Sequence, residues 1–270
     1  MTLIVSVTSA DGIVIAGDSL SSLNRQINLN QSNMVSCPHC QKEHTVKANF
    51  QGNVRQATYS YTEKVIPFLE KFGIGVYGSG LIGSHSVNFL IRSFEHNIKK
   101  QKKEIDSVTD LAEEIGVNLH NLVKKQLDLE KKSLDDFPKG HVFLGFQIVG
   151  YDDLKPKIIE VLLGKDVGYK EFSKLGCYAS GNREVVTAIW ELYKKHPEGH
   201  PIYEVFSLQE AVDYVDFLIS STISFQRFSP IIPSVGGKID IALVRPFDKF
   251  QWIRQKPLGE LLDGGKHETR

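Results

Sequence analysis

The chain has 270 residues, enough for one large domain with a substantial hydrophobic core. Its 32 basic and 32 acidic residues balance, which argues against binding of nucleic acid or of an anionic membrane surface. We see no membrane span, no signal peptide and, with three cysteines, no disulfide framework, so we expect a cytoplasmic protein.

The first predicted element is an N-terminal β-hairpin. LIVSV after Thr2 is rich in β-branched residues, Asp11-Gly12 is typical of a two-residue turn, and IVIAGDS returns as a second strand.

Removal of Met1, usual before a small residue, would leave Thr2 with a hydroxyl and a free α-amine. These two groups together form a nucleophile and a base.

An insertion follows, over about residues 22–60. It is polar and rich in Asn and Gln, and its centre, SCPHCQKEH, places Cys37 and Cys40 at CxxC spacing with His39 and His44 nearby. Two such cysteines are half of a structural zinc site, which His44 and another residue, or a neighbouring subunit, would complete. The alternative is a flexible loop with two reduced thiols.

The remaining chain alternates strands with helix pairs. KVIPFLEKFGIGVYGSG, HVFLGFQIVGYD, KPKIIEVLL, KLGCYAS, KIDIALV and KFQWIRQ read as strands. Apolar residues at helical spacing predict a first pair of helices near 87–98 and 111–123 and a second pair at 182–197 and 207–225, the last beginning with the capping box Ser207–Glu210. This order predicts one α+β domain over residues 1–270, a four-layer αββα sandwich with the helices outside two stacked sheets.

Several segments, in order, resemble the proteasome β-subunits and their bacterial relative HslV, which are threonine peptidases of the N-terminal nucleophile hydrolase class. The N-terminal hairpin ending in AGDS is similar to the opening of that family. The other similar segments are KVIPFLEKFGIGVYGSG, LGCYASGN, SLQEAVDYVDFLI and VGGKIDIALV.

The resemblance implies a catalytic set. Thr2 matches the nucleophile, Asp18 the carboxylate, Lys64 the catalytic lysine, Ser180 the supporting serine, and Gly78 the backbone amide of the oxyanion hole. Taken singly, each has an ordinary structural explanation: a strand end, an exposed lysine or a turn. Their order along the chain favours the catalytic interpretation.

The chemistry of this set is coherent. The α-amine of Thr2, with a pKa of about 7.7–8.0 in model peptides, would accept the hydroxyl proton, through a bridging water. Lys64 would add positive charge beside Thr2, while Asp18 keeps Lys64 charged and oriented. Ser180 would anchor the water, and the Gly78 N–H would stabilise the oxyanion. No cofactor is required for these steps.

The resemblance also suggests a substrate pocket. Ile66, Val76 and Gly80 match positions that line the pocket for the residue before the scissile bond, which predicts cleavage after hydrophobic residues. Peptides or unfolded proteins are the implied substrates. The implied assembly is a ring of identical subunits served by an ATP-dependent unfolding partner.

The chain departs from the family pattern near its second helix pair. Gln226 stands where proteasome subunits usually carry a second acidic residue, and the serine before the paired glycines is replaced by Val235 or, with a shift of one residue, is Ser234. Two alternatives therefore stay open. One is an amidohydrolase for small substrates; the other is a catalytically silent scaffold or adaptor subunit that retains Met1.

Overall fold

The computed structural model describes residues 2–36, 39–40, 43–59, 62–230 and 232–256. The strands are β1 (Leu3–Thr8), β2 (Ile13–Gly17), β3 (Ser21–Ser36), β4 (Glu43–Tyr59), β5 (Val65–Phe68), β6 (Phe72–Gly78), β7 (Leu81–Ile82), β8 (His85–Ser86), β9 (Leu144–Asp152), β10 (Lys155–Leu163), β11 (Val167–Phe172), β12 (Gly176–Gly181), β13 (Asp240–Val244) and β14 (Gln251–Arg254). The helices are α1 (Val87–Gln101), α2 (Val108–Leu129), α3 (Glu184–Lys195) and α4 (Leu208–Phe228).

Two five-stranded antiparallel sheets carry most of the fold. The first has the order β12-β1-β2-β13-β14, so the N-terminal hairpin lies at its centre. The second has the order β11-β10-β9-β6-β5. The mixed α+β class predicted from the order of elements is confirmed.

The turn of the N-terminal hairpin is longer than the sequence predicted. Pairing stops at Thr8 and Ile13, so four residues rather than two connect the strands. The reason is local: the Ser9 N–H donates to the Gly12 carbonyl oxygen at 3.0 Å, and the Ser9 hydroxyl donates to the same oxygen at 3.2 Å. This closed loop ends the ladder two residues before Asp11-Gly12.

Each helix pair buries its apolar side against one sheet. Ile91 of α1 and Leu111 and Ile115 of α2 share a cluster with strands of the second sheet, and Val215 and Ile219 of α4 share a cluster with strands of the first. A third cluster joins the two sheets through Ile4, Ile13, Ile15, Val149 and Ile158. The helix faces predicted from the apolar spacing are buried or partly buried as expected.

The predicted capping box of α4 is present. The Ser207 hydroxyl accepts from the Glu210 N–H at 3.3 Å, and the Ser207 N–H donates to the Glu210 carboxylate at 2.7 Å. These two bonds satisfy backbone donors that a helix start would otherwise leave unpaired.

The chain divides into two compact units. One comprises Met1–Ser21 with Ser60–Arg270, and the other is Ser22–Tyr59, the stretch expected to be an insertion. In the second unit β3 and β4 form a two-stranded sheet, so its described backbone is extended rather than an irregular loop. Within the described ranges, no helix is both long and apolar enough to cross a membrane.

Candidate active site

Thr2 and Lys64 meet at the edge between the two sheets. Thr2 directly precedes β1 of the first sheet, and Lys64 directly precedes β5 of the second. The Lys64 Nζ donates to the Thr2 Oγ1 and also, at 3.1 Å, to the carbonyl oxygen of Leu20. Both side chains are nearly buried, at 2% exposure for Thr2 and 7% for Lys64. The two residues most important to the predicted chemistry are therefore in direct contact.

Asp18 lies directly after β2 and organises the backbone around Thr2. Its fully buried carboxylate accepts three backbone N–H groups, from Leu3 at 3.0 Å, Leu20 at 3.1 Å and Gly236 at 3.0 Å. Asp18 therefore holds the start of β1, the end of the hairpin and a distant loop together. The sequence predicted a role through Lys64; the structure adds this role through the backbone.

Burial and charge act in opposite directions on this pair. Burial raises the pKa of Asp18, against the attraction of Lys64 and the three backbone hydrogen bonds. Burial lowers the pKa of Lys64; the Asp18 carboxylate opposes that shift, and the positive charge of Lys256 adds to it. Asp18 thus opposes the lowering of the Lys64 pKa and favours the charged form of that lysine.

Gly78 ends β6 beside this pair in a conformation that requires glycine. Its φ is +95°, and a Cβ atom there would lie 2.8 Å from the carbonyl oxygen of Phe143. Both facts exclude a larger residue without a shift of backbone. The oxyanion role of its N–H stays a prediction.

Thr2, Lys64 and Gly78 line one cleft of about 70 Å³. The other lining residues are Ser21, Thr62, Glu63, Val76, Tyr77, Ser79, Gly80, Ser86, Val87 and Asn88. The predicted pocket residues Val76 and Gly80 belong to this lining, whereas Ile66 does not: it is buried in the cluster between the second sheet and α1 and α2. The lining carries several hydroxyls and one carboxylate beside its apolar side chains.

Ser180 lies on β12, next to β1, in register with Ile4. Its hydroxyl donates to Glu160 Oε1 at 2.6 Å and accepts from Gln147 Nε2 at 2.9 Å. Two residues later, the Asn182 N–H donates to the Thr2 carbonyl oxygen at 2.8 Å. The β12 end therefore holds the Thr2 backbone, and Ser180 belongs to a buried polar network.

Gln226 occupies the position expected to be acidic, and it binds a loop instead. Its Oε1 accepts from the N–H groups of Ser234, at 2.7 Å, and Val235, at 3.0 Å. The Ser234 hydroxyl accepts from Asn182 Nδ2 at 2.7 Å, which links this loop to the β12 end. Ser234 therefore links the Gln226 loop to the end of β12, a contact that the side chain of Val235 cannot make.

Sequence reasoning missed three polar residues of this region: Glu160, Gln147 and Tyr77. The Tyr77 hydroxyl donates to Glu160 Oε1 at 2.6 Å, and burial raises the pKa of Tyr77 above its ordinary value. One signal was available. A glutamate inside KPKIIEVLL and a glutamine inside LGFQIVGYD interrupt otherwise apolar strands, and buried polar groups of this kind need partners.

One of the two predicted zinc-binding cysteines belongs to the described part of the chain. Cys37 lies outside the described residues, and Cys40 is exposed at a turn. Within the part of the chain that the structure describes, no cluster of three or more His, Cys, Asp or Glu side chains could hold a metal ion. The zinc site stays a prediction.

No protein-family model matches this chain, and a search of curated proteins finds no match.

Proposed function

We propose that this chain is an N-terminal threonine hydrolase of the proteasome and HslV type, which cleaves peptide bonds through an acyl-enzyme on Thr2 after removal of Met1. The observation that carries the proposal is the contact between Lys64 Nζ and Thr2 Oγ1 at a cleft that Gly78 also lines. A buried lysine on a threonine hydroxyl needs an explanation, because lysines are rarely buried.

The proposed reaction has two steps. Thr2 Oγ1 attacks the substrate carbonyl carbon, and the hydroxyl proton passes to the α-amine of Thr2. Lys64 stabilises the negative charge that develops on Thr2 Oγ1 as this proton leaves. The amine then protonates the leaving nitrogen as the C–N bond breaks, which leaves an ester on Thr2. Water hydrolyses that ester and regenerates the hydroxyl.

The same proposal includes the four-layer αββα architecture of N-terminal nucleophile hydrolases. Its support is the set of three apolar clusters, one between each helix pair and a sheet and one between the sheets. A cytoplasmic ring of identical subunits and an ATP-dependent unfolding partner also belong to the proposal and rest on the family resemblance alone.

A second candidate is an amidohydrolase for small substrates. The cleft volume of about 70 Å³ favours it, since sites for larger ligands usually measure about 300–1,000 Å³. Products from a peptide library and from a set of short acyl amides, identified by mass spectrometry, separate the two candidates. Cleavage of short amides alone supports the second.

Intact-mass spectrometry of the natively expressed protein, before and after an epoxyketone or β-lactone probe, tests the proposal. We expect loss of Met1 and one covalent adduct that maps to Thr2 and is absent in Thr2→Ala. Retention of Met1 with no adduct would contradict the proposal and favour the scaffold alternative.

Lysine variants sharpen this test. Lys64→Met should slow adduct formation by about 100-fold or more, because it removes the positive charge at Oγ1. Lys71→Met is the matched control: Lys71 forms an exposed ion pair with Asp106 and should react at the wild-type rate. Equal rates in both variants would exclude Lys64 from the reaction.

A further inference from the structure

A buried polar network connects the two sheets beside the candidate site. Glu160 of β10 and Gln147 of β9 are paired in the second sheet, and Ser180 of β12 and Ser6 of β1 belong to the first. All four side chains are buried. Ser180 contacts both partners across the gap, with its oxygen 2.6 Å from Glu160 Oε1 and 2.9 Å from Gln147 Nε2.

The direction of the hydrogen bonds is determined by Gln147. Its Oε1 accepts from the Ser6 hydroxyl at 2.6 Å, and its Nε2 lies 3.4 Å from the carbonyl oxygen of Tyr178, which can only accept. The amide nitrogen therefore faces Ser180 as a donor, and the Ser180 oxygen must accept from it.

After these two hydrogen bonds, the Ser180 hydroxyl oxygen keeps one lone pair that can accept a further hydrogen bond. A serine hydroxyl has one proton and two lone pairs. The proton is donated to Glu160, and one lone pair receives the Gln147 N–H. The remaining lone pair can only accept; the Tyr77 hydroxyl also lies beside Ser180, but it donates its proton to Glu160. Ser180 is in register with Ile4, two residues from Thr2.

We infer that Glu160 is a positioning residue. It orients the Ser180 hydroxyl so that the hydroxyl oxygen accepts a hydrogen bond from the Thr2 α-amine, or from a water bound to that amine. The same Glu160 oxygen accepts from Tyr77, a wall residue of the cleft, and so ties the cleft to the network. Gln226 does not take this part, since its oxygen holds the backbone of Ser234 and Val235. The inference rests on the proposed function.

The test is the pH dependence of Thr2 acylation in Glu160→Met, measured with the β-lactone probe on protein whose reactive fraction has been titrated. The substitution removes the carboxylate acceptor at similar length, which frees the Ser180 proton to turn toward the amine. The ammonium form then loses an acceptor and becomes less stable. We expect the rate to fall about tenfold and the acid limb of the pH profile to move down by about half to one pH unit.

Two further variants make the result specific. Glu160→Gln keeps a carbonyl acceptor for Ser180 and should restore the wild-type limb. Lys170→Gln is the matched control: Lys170 is half-exposed and lies 3.6 Å from the other carboxylate oxygen of Glu160, so its loss should change neither rate nor profile.

Each outcome decides one claim. An acid limb in Glu160→Met that coincides with wild type would overturn the assignment while leaving the proposed function intact. No Thr2 adduct in the wild type would overturn both. If Glu160→Met does not fold by circular dichroism, Ser180→Ala removes the same lone pair: a limb at lower pH supports the inference, and an unmoved limb overturns it.

Discussion

At the scale of single residues, the buried ion pair between Lys256 and Asp240 contacts the segment that carries Lys64. Lys256, at 4% exposure, contacts the fully buried Asp240 through its Nζ, and its backbone N–H donates to the same carboxylate at 2.9 Å. Lys256 Nζ also donates to the carbonyl oxygen of Thr62 at 3.1 Å. This pair therefore fixes the chain two residues before Lys64.

Lys256→Met should lower the free energy of unfolding by about 3–5 kcal/mol, because Asp240 is left as a buried charge without its partner. Adding Asp240→Asn removes that charge, keeps an acceptor for the N–H of residue 256, and should recover part of the loss. Urea unfolding followed by circular dichroism measures both. Lys71→Met, which breaks an exposed ion pair, should change the free energy of unfolding by less than about 1 kcal/mol. A change of the same small size in Lys256→Met would contradict the prediction.

At the scale of elements, the end of β12 positions the backbone of Thr2. Gly181 has a φ of +86°, and a Cβ atom there would lie 1.9 Å from the Thr2 carbonyl oxygen. The following residue, Asn182, donates its N–H to that same oxygen at 2.8 Å. Strand β12 can approach the chain start this closely only because residue 181 has no side chain.

Gly181→Ala should therefore displace Thr2 and slow its acylation by the β-lactone probe by about tenfold or more, while lowering the free energy of unfolding by about 1–3 kcal/mol. Gly168→Ala in β11 is the matched control, because a Cβ there meets its nearest neighbour at an ordinary 3.7 Å. The control should stay within about 0.5 kcal/mol of wild type. Equal behaviour of the two variants would show that the close approach is unimportant.

At the scale of the whole molecule, the second unit interrupts a chain whose flanking ends already meet. The Thr62 N–H donates to the Ser19 carbonyl oxygen at 3.1 Å, so the segments before and after Ser22–Tyr59 are in contact. A short connection could join them without moving either.

Replacing residues 22–59 by a short Gly-Ser linker should leave the first unit folded. The free-energy cost of closing the loop depends only weakly on its length and should fall by about 1 kcal/mol. We expect cooperative thermal unfolding within a few degrees of wild type and retained acylation of Thr2. Calorimetry and intact-mass labelling check the two expectations. Loss of cooperative unfolding would show that the first unit depends on the second.

Residue patterns along the chain were enough to predict the features of this protein that depend on contacts between near neighbours. Apolar spacing predicted the buried faces of the helices, and Ser207 with Glu210 predicted a capping box that is present. Strand β11 was not predicted, because it is a short edge strand whose middle residues, Tyr169, Lys170 and Glu171, are exposed and do not alternate between apolar and polar.

The candidate site combines residues that the sequence suggested with contacts that only the fold reveals. Thr2, Asp18 and Lys64 were recognised from sequence, and the tertiary structure brings them together. Two features follow from the folded chain and not from residue patterns: Glu160 binds Ser180, and Ile66 lies in the core rather than at the cleft. The first contact crosses from one sheet to the other and the second joins a sheet to its helices, so both depend on strand order, register and packing, which local residue patterns do not encode.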